Sequence, residues 1–264
     1  MIKLPDIEYL QRLSRSILTD FEATSVTRKL EEIVRYYELI NYDLSYDWPI
    51  WRARKCLSPE GYENVCDLSY PPNQFAKPGR LNNPKEPILY ASLSNFSALA
   101  EIGAEEGDHV HLIGYKIKNG DKIRCGIVGE VFNVQRSGRA KISEHLGAEL
   151  NRILSQMSPQ VSKSFVFLDA FLSSILGSRS ASDSDYLHSR TLSQLLLKKM
   201  PTVHAIWYSG IALDGAVNLA VRPDVADEIF EVAGITVVRI NKKYDFGIMI
   251  FQLSEIQKHM IATE

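Results

Sequence analysis

Cysteine is scarce in this sequence, and the few cysteines follow no pattern typical of a disulfide framework or a metal site. The 264 residues include Cys56, Cys66 and Cys125, with no Cys-x-x-Cys pair. An odd number at irregular spacing favours reduced thiols, and the interval between Cys56 and Cys66 fits no standard zinc site. We therefore expect a cytoplasmic protein with free thiols and no zinc.

The sequence also lacks long hydrophobic runs and an excess of charge of one sign. No window approaches the ~20 apolar residues of a membrane-spanning helix. The first residues carry Lys3, Asp6 and Glu8 instead of the apolar core of a signal peptide. Thirty Lys and Arg against 32 Asp and Glu give a formal net charge of −2, which supplies no general attraction to nucleic acid. We expect neither a membrane nor a nucleic acid as a partner.

Familiar catalytic motifs are missing too: no Walker loop, GxGxxG, HExxH or GxSxG occurs. The six histidines are scattered. His109 and His111 share one face of a predicted strand and would allow a metal pair, but a solvated strand face is the interpretation we favour. We predict no metal and no cofactor requirement.

The sequence does contain the composition and patterning of a globular domain with a sizeable core, at 45% hydrophobic and 23% charged residues. Residues 5–40 repeat apolar side chains every three to four positions, which predicts two helices with a turn and N-cap at Ala23–Ser25. We interpret residues 1–45 as an N-terminal helical extension. Its apolar stripe would pack on its own domain or, alternatively, dock a partner or form a homodimer; we favour packing.

The remainder, residues 46–264, mixes strands and helices within one predicted domain. "WRARK", "PILYAS" and "HVHLIGYKI" are strand candidates, and residues 56–87 are rich in Pro and Gly. About residues 126–200 form a helical insertion, followed by strands in "HAIWYSG", "VNLAVRP", "ITVVRINK" and "YDFGIMIFQL". This order predicts an α+β fold instead of repeated βαβ units.

Polar side chains stand at the ends of several predicted elements. Arg80 lies in the loop "GRLNNP", Tyr90 ends a strand, Glu101 lies on the helix that follows, Ser209 ends a later strand, and Arg52 lies on the first strand. Arg binds phosphate, Tyr packs on a heteroaromatic ring, Glu stabilises an oxocarbenium-like charge and Ser donates or accepts. Together they describe a site for a pyrophosphate nucleotide with a labile glycosidic bond.

Each of these residues also has an ordinary structural interpretation. A loop Arg is usually a solvated charge, and a Tyr that ends a strand usually lies at the edge of the core. A Glu at a helix start commonly complements the helix dipole, and a Ser after a strand commonly forms a turn.

Three blocks resemble the RES domain family, named for its Arg, Glu and Ser: "GRLNNPKEPILYASLSNFSALAE", "YLHSRTLSQLLLKKMPTVHAIWYSG" and "GAVNLAV". "WRAR" also fits, so the resemblance covers roughly residues 48–225. It implies an ADP-ribosyltransferase-like mixed β core with flanking helices. It also implies a toxin of a toxin–antitoxin or defence system that depletes NAD+, with an Xre-like antitoxin as partner.

By matching position, the resemblance implies that Arg80, Tyr90, Glu101 and Ser209 form the catalytic set. Arg52 and Asn218 would join Arg80, Tyr90 and Ser209 in binding NAD+, which is the substrate. We expect cleavage of the nicotinamide–ribose bond, by a glycohydrolase or a phosphorylase. The alternatives are a protein ADP-ribosyltransferase and a degenerate, non-catalytic module that binds a nucleotide or a partner.

Overall fold

The computed structural model of the chain describes residues 4–253, which form eight α-helices and nine β-strands. The helices are α1 Ile7–Leu18, α2 Ala23–Tyr36, α3 Asn95–Glu101, α4 Glu130–Ser137, α5 Glu144–Gln156, α6 Pro159–Leu176, α7 Leu187–Lys199 and α8 Pro223–Ile229. The strands are β1 Ile40–Leu44, β2 Ile50–Cys56, β3 Leu89–Ser92, β4 His109–Ile117, β5 Ile123–Ile127, β6 Ala205–Ser209, β7 Val217–Val221, β8 Phe230–Lys243 and β9 Met249–Leu253. The predicted α+β class is confirmed, whereas the specific ADP-ribosyltransferase-like architecture stays a prediction.

Local sequence signals explain where the first three helices begin. The Asp6 carboxylate accepts the Tyr9 N–H at the start of α1, and Ser94 Oγ accepts the Ser97 N–H at the start of α3. The predicted cap of α2 at Ala23–Ser25 is wrong by one residue, because the Glu22 carboxylate accepts the N–H groups of Thr24 and Ser25. Glu is longer than the usual capping residues, so a sequence pattern does not single it out as a cap.

The described residues group into two compact units, which we call the helical unit and the sheet unit. The helical unit comprises residues 4–42, 78–84 and 126–208, and the sheet unit comprises residues 43–77, 85–125 and 209–253. The helical unit therefore contains α1, α2 and α4–α7. The boundary that we predict after residue 45 stays a prediction.

The N-terminal helices pack on their own chain, as favoured from the sequence. Ser164 Oγ on α6 donates to the carbonyl of Pro5 at 2.8 Å, just before α1. Lys199 Nζ, at the end of α7, donates to the carbonyl of Tyr37 at 2.6 Å, just after α2. Leu10 and Ile17 of α1 and Leu30 of α2 are fully buried, whereas Ile7 and Leu18 at the two ends of α1 remain exposed.

Asp169 on α6 anchors the interior of the helical unit. Its Oδ1 accepts the Tyr37 hydroxyl at 2.6 Å and the Gly129 N–H at 2.9 Å, and its Oδ2 accepts the Phe132 N–H at 2.8 Å. The side chain is 0% exposed, and burial raises the pKa of Asp169. Gly129 has φ +98°, and a Cβ there would lie 2.5 Å from Ser173 Oγ, so this turn into α4 requires glycine. One carboxylate thereby joins the end of α2 to the start of α4.

In the sheet unit, six strands pair in the order β7-β3-β2-β4-β8-β9, and every neighbouring pair is antiparallel. Ser92 lies opposite Trp51 of β2 on one side and opposite Asn218 of β7 on the other. Opposed residues of antiparallel strands project to the same face, so these three side chains share one face. Helix α3 packs on a core that includes Leu99, Leu112, Val238 and Ile240.

The interpretation of a solvated strand face is wrong for His111 of β4, because this side chain is only 5% exposed. Its Nδ1 accepts the Tyr62 N–H at 3.0 Å, and the two rings stack at 6.2 Å. A Cβ at Gly61, which has φ +79°, would lie 2.6 Å from that Nδ1, so the loop approaches too closely for any other residue. The loop-rich segment after β2 covers the histidine, and burial lowers the pKa of His111.

Candidate functional site

Glu101 is the last residue of α3, not a residue of its first turn. The structural interpretation of a Glu placed to complement the helix dipole is therefore wrong, because a negative charge is unfavourable at a helix C-terminus. Ser94 fixes where the helix begins, and the burial of Ala98 and Leu99 fixes its rotation on the sheet. The length of α3 then carries Glu101 to its C-terminal end, where other groups must stabilise the carboxylate.

Those groups all bind one oxygen of the carboxylate. Oε1 accepts the Ile211 N–H at 3.0 Å, the Ala212 N–H at 3.5 Å and the Asn218 Nδ2–H at 2.8 Å. Oε2 accepts no hydrogen bond from residues 4–253, and the side chain is only partly buried. The result is a carboxylate held firmly at one oxygen with the second available to a ligand.

Asn218 is itself held from behind by Ser92. Its Oδ1 accepts the Ser92 hydroxyl at 2.6 Å, and the two side chains are 3% and 4% exposed. They lie opposite each other on the neighbouring strands β3 and β7, where the β3–β7 ladder fixes the backbone. Ser92, Asn218 and Glu101 thus form a continuous chain of hydrogen bonds.

Gly210 permits the turn after β6 to approach Glu101. Its N–H donates to the carbonyl of Ala216 at 2.8 Å, which closes the turn that carries Ile211 and Ala212. A Cβ at this position would lie 2.9 Å from Glu101 Oε1 and 2.8 Å from the Cβ of Ala216. Only glycine fits there unless a neighbour shifts.

Tyr90 and Ser209 are close in sequence to residues of this site, Tyr90 to Ser92 and Ser209 to Gly210. Tyr90 is two residues before Ser92 and shares its face of β3, and it is half-buried. The strand runs on to Ser92 instead of ending at Tyr90, because residues 91 and 92 continue the ladder with β7. Ser209 ends β6 as predicted, immediately before Gly210, and is half-buried as well.

Arg52 projects from β2 to the other face, because Trp51 is the neighbour that lies opposite Ser92. Its Nη1 donates to the backbone carbonyl of Tyr90 at 3.2 Å. Its Nε is buried without a hydrogen-bond partner among the described residues, and burial lowers the pKa of Arg52. The hydrogen bond that Arg52 donates to Tyr90 is thus with the backbone.

Arg80 belongs to the helical unit, whereas Tyr90, Glu101, Ser209, Asn218 and Arg52 belong to the sheet unit. Its Nη1 donates to the carbonyls of Leu176 at 2.9 Å and Ser178 at 2.8 Å, at the C-terminal end of α6. Its guanidinium lies 5.7 Å from the centre of the Tyr186 ring. Arg80 thus has a structural role at a helix end, where a cation is favourable.

The helical unit contains a cavity of about 570 Å³ next to these partners of Arg80. Its wall includes Ser178, Tyr186 and His188, and none of the predicted site residues lines it. Among residues 4–253, no three His, Cys, Asp or Glu side chains gather closely enough to hold a metal ion. Within the same span, no helix has the length and apolar character needed to cross a bilayer.

Ser92 and Gly210 are the site residues that the sequence interpretation missed. Ser92 stands inside the block that resembles the RES family, two residues after Tyr90, and a hydroxyl in an otherwise apolar strand was the available signal. Gly210 directly follows the predicted Ser209, and its role is visible only once Glu101 is placed beside it.

Comparisons with known proteins are sparse. No protein-family model matches the chain, and no curated protein matches it either. Among solved structures, one similar chain comes from the M. tuberculosis MbcT-MbcA toxin-antitoxin complex. The identity is 10%, the TM-score is 0.40, and the match covers 88% of this chain and 97% of the other. At that TM-score the likeness carries no argument about function.

Proposed function

We propose that this protein is an NAD+-consuming enzyme that cleaves the bond between nicotinamide and ribose, with Glu101 as the central catalytic residue. The observation that carries the proposal is the state of the Glu101 carboxylate. Three donors hold Oε1, and Oε2 is available at a partly buried position. The RES resemblance supplies the identity of the substrate.

The chemistry follows from what an ionised carboxylate can do beside a ribose. Oε2 accepts a hydroxyl of the nicotinamide ribose and stabilises the positive charge that develops at the sugar as the C–N bond breaks. The bonding electron pair goes to the nicotinamide nitrogen, so the leaving group departs neutral and requires no general acid. Water then captures the sugar in a glycohydrolase, or phosphate captures it in a phosphorylase.

The other predicted site residues receive roles by chemistry. Tyr90 packs against the nicotinamide ring, and Ser209 orients the nicotinamide amide at the end of β6. For Arg80 the role rests on the RES resemblance alone, which gives it the NAD+ pyrophosphate or the nearby ribose. Arg52 projects to the other face of β2, so its role in binding NAD+ rests on the RES resemblance alone.

The biological role proposed is that of a toxin in a toxin–antitoxin or defence system, with an Xre-like protein as antitoxin. It rests on the RES resemblance. Expression of the chain in a host that lacks the antitoxin should arrest growth, and Glu101→Ala should relieve the arrest. Arrest that persists with the variant would separate the toxicity from Glu101.

The direct test of activity is nicotinamide release from NAD+ by the purified chain, followed by chromatography. We expect release by the native protein and loss of release in Glu101→Gln, which keeps the shape and removes the charge. Glu105→Gln is the matched control, because Glu105 is an exposed carboxylate that pairs with Lys243. Native rates in Glu101→Gln would show this assignment to be wrong.

The same reaction, run with labelled NAD+ and cell lysate, identifies the acceptor. Labelled protein bands would show a protein ADP-ribosyltransferase, and free ADP-ribose alone would show a glycohydrolase. ADP-ribose-1″-phosphate, formed only when phosphate is present, would show a phosphorylase. An absence of product in every case would favour the non-catalytic binding module.

A further inference from the structure

We infer that Ser92 is a positioning residue of this site, and that Asn218 acts through Glu101 instead of binding the substrate. Ser92 holds the amide of Asn218 in one orientation, and Asn218 in turn holds the carboxylate of Glu101. This inference rests on the proposed function for its catalytic consequence, and on the hydrogen bonds alone for its structural part.

The orientation of the Asn218 amide follows from the chemistry of its neighbours. An asparagine can present either its oxygen or its NH2 group to a partner, but a carboxylate only accepts. The NH2 group must therefore face Glu101 Oε1, at 2.8 Å. The amide oxygen then faces Ser92 Oγ at 2.6 Å, so the hydroxyl proton points from Ser92 to Asn218.

Because Ser92 and Asn218 are buried, water cannot replace the Ser92 hydroxyl as the partner of the Asn218 amide oxygen. Ser92 is 4% and Asn218 3% exposed, so bulk water does not reach the bond between them. Without the hydroxyl, the amide oxygen is buried and unpaired, and the NH2 group loses the restraint that directs it at Glu101. The same burial leaves Asn218 little surface with which to bind NAD+, which departs from the role implied by the family resemblance.

Turnover kinetics distinguish an Asn218 that positions Glu101 from an Asn218 that binds NAD+. Ser92→Ala should lower kcat roughly tenfold, the equivalent of one hydrogen bond, with little change in the KM for NAD+. Ser92→Thr retains the hydroxyl and should recover most of the rate. Ser193→Ala is the matched control, because Ser193 is fully buried in α7 and its hydroxyl has no partner among the described residues. A native kcat in Ser92→Ala, or a raised KM with native kcat, would overturn the inference.

Asn218→Asp provides a readout that a purely structural role would not change. It places a second carboxylate against Glu101 Oε1, and two carboxylates at that distance share a proton. The rate of the variant should therefore fall with rising pH across a range where the native rate is flat. Asn218→Leu removes the donor without adding a charge and should be slow at every pH. If Asn218→Asp and the native protein had the same pH profile, Asn218 would not contact Glu101.

A stability measurement distinguishes failure of this inference from failure of the proposed function. If the native protein releases no nicotinamide, the proposed function fails while the hydrogen-bond chain remains testable by denaturant unfolding. The effects of Ser92→Ala and Glu101→Gln on the unfolding midpoint should be non-additive with Asn218 present and additive in the Asn218→Leu background. Additive effects in both backgrounds would overturn the inference whatever the activity.

Discussion

Asp169 in the helical unit and Glu101 in the sheet unit are each held by two backbone N–H groups and one side chain, but the bonds are distributed differently. Asp169 uses both oxygens and is 0% exposed. Glu101 receives all three bonds on Oε1 and is only partly buried. The first arrangement leaves no oxygen for a ligand, and the second leaves one.

Asp169 is thus a structural carboxylate that stabilises the fold, whereas Glu101 is a carboxylate that the surrounding fold positions. Asp169 joins elements distant in sequence, and its loss would leave buried donors unpaired. Glu101 lies at the unfavourable end of a short helix, so the chain stabilises its charge with a turn and a buried Asn instead of with the helix. A carboxylate with one oxygen held by the fold and the other available can bind a ligand through the second oxygen.

The largest effect should come from moving the Glu101 carboxylate without removing its charge. Glu101→Asp shortens the side chain by one methylene, so the carboxylate cannot contact both its donors and the ribose. A displacement of about 1 Å in a reacting group costs roughly 100-fold in rate. Nicotinamide release should fall by that factor, while circular dichroism and the unfolding midpoint stay close to native. An active Glu101→Asp would mean that the charge matters and its position does not.

The converse change in the helical unit should affect stability and spare catalysis. Asp169→Asn turns one acceptor into a donor, so a buried donor among Tyr37, Gly129 and Phe132 is left unpaired. One such group costs about 1–3 kcal/mol in the free energy of unfolding. Urea unfolding should show this loss, with kcat per folded molecule unchanged. A fall in kcat at native stability would mean that Asp169 belongs to the reactive machinery.

A smaller effect on Glu101 should come from its glycine neighbour. Gly210→Ala places a methyl group 2.9 Å from Oε1, which displaces the carboxylate or the turn. We expect kcat to fall about tenfold, or ~1.4 kcal/mol in transition-state stabilisation. Gly234→Ala is the control, because nothing lies within 4 Å of a Cβ there and the backbone is not left-handed. Equal rates in both variants would show that the turn adjusts freely.

The sequence predicts much of this arrangement where the signal is local, and little where the contacts are distant. The segment "HVHLIGYKI" predicts β4, and Glu101 is correctly predicted on the helix that follows the strand of Tyr90. No local pattern indicates that Ser92 bonds Asn218, because the two are 126 residues apart in the chain. The strand face of Arg52 depends on register with β3, which a single strand does not reveal.

His111 illustrates the same limit, since alternation places it on a strand face but does not show that the loop around Tyr62 covers that face. Its burial gives the sheet unit a buried titratable group, as Asp169 does in the helical unit, and burial disfavours the charged form of each. Burial raises the pKa of the Asp169 carboxyl and lowers the pKa of the His111 imidazole. The two groups should therefore make opposite contributions to the pH dependence of stability.

The smallest effect that we predict is a loss of stability in mild acid that depends on His111. Below the ordinary His pKa of 6.5, the unfolded chain binds a proton that the folded chain binds only at lower pH. The contribution of His111 is therefore fully present above pH 6.5 and is lost as pH falls through the lowered folded pKa. His111→Asn keeps an acceptor for the Tyr62 N–H and does not titrate. The free energy of unfolding of the native protein should decline relative to this variant between neutral pH and mild acid. Parallel pH profiles for the two proteins would mean that His111 titrates in the folded protein as it does in an unfolded chain.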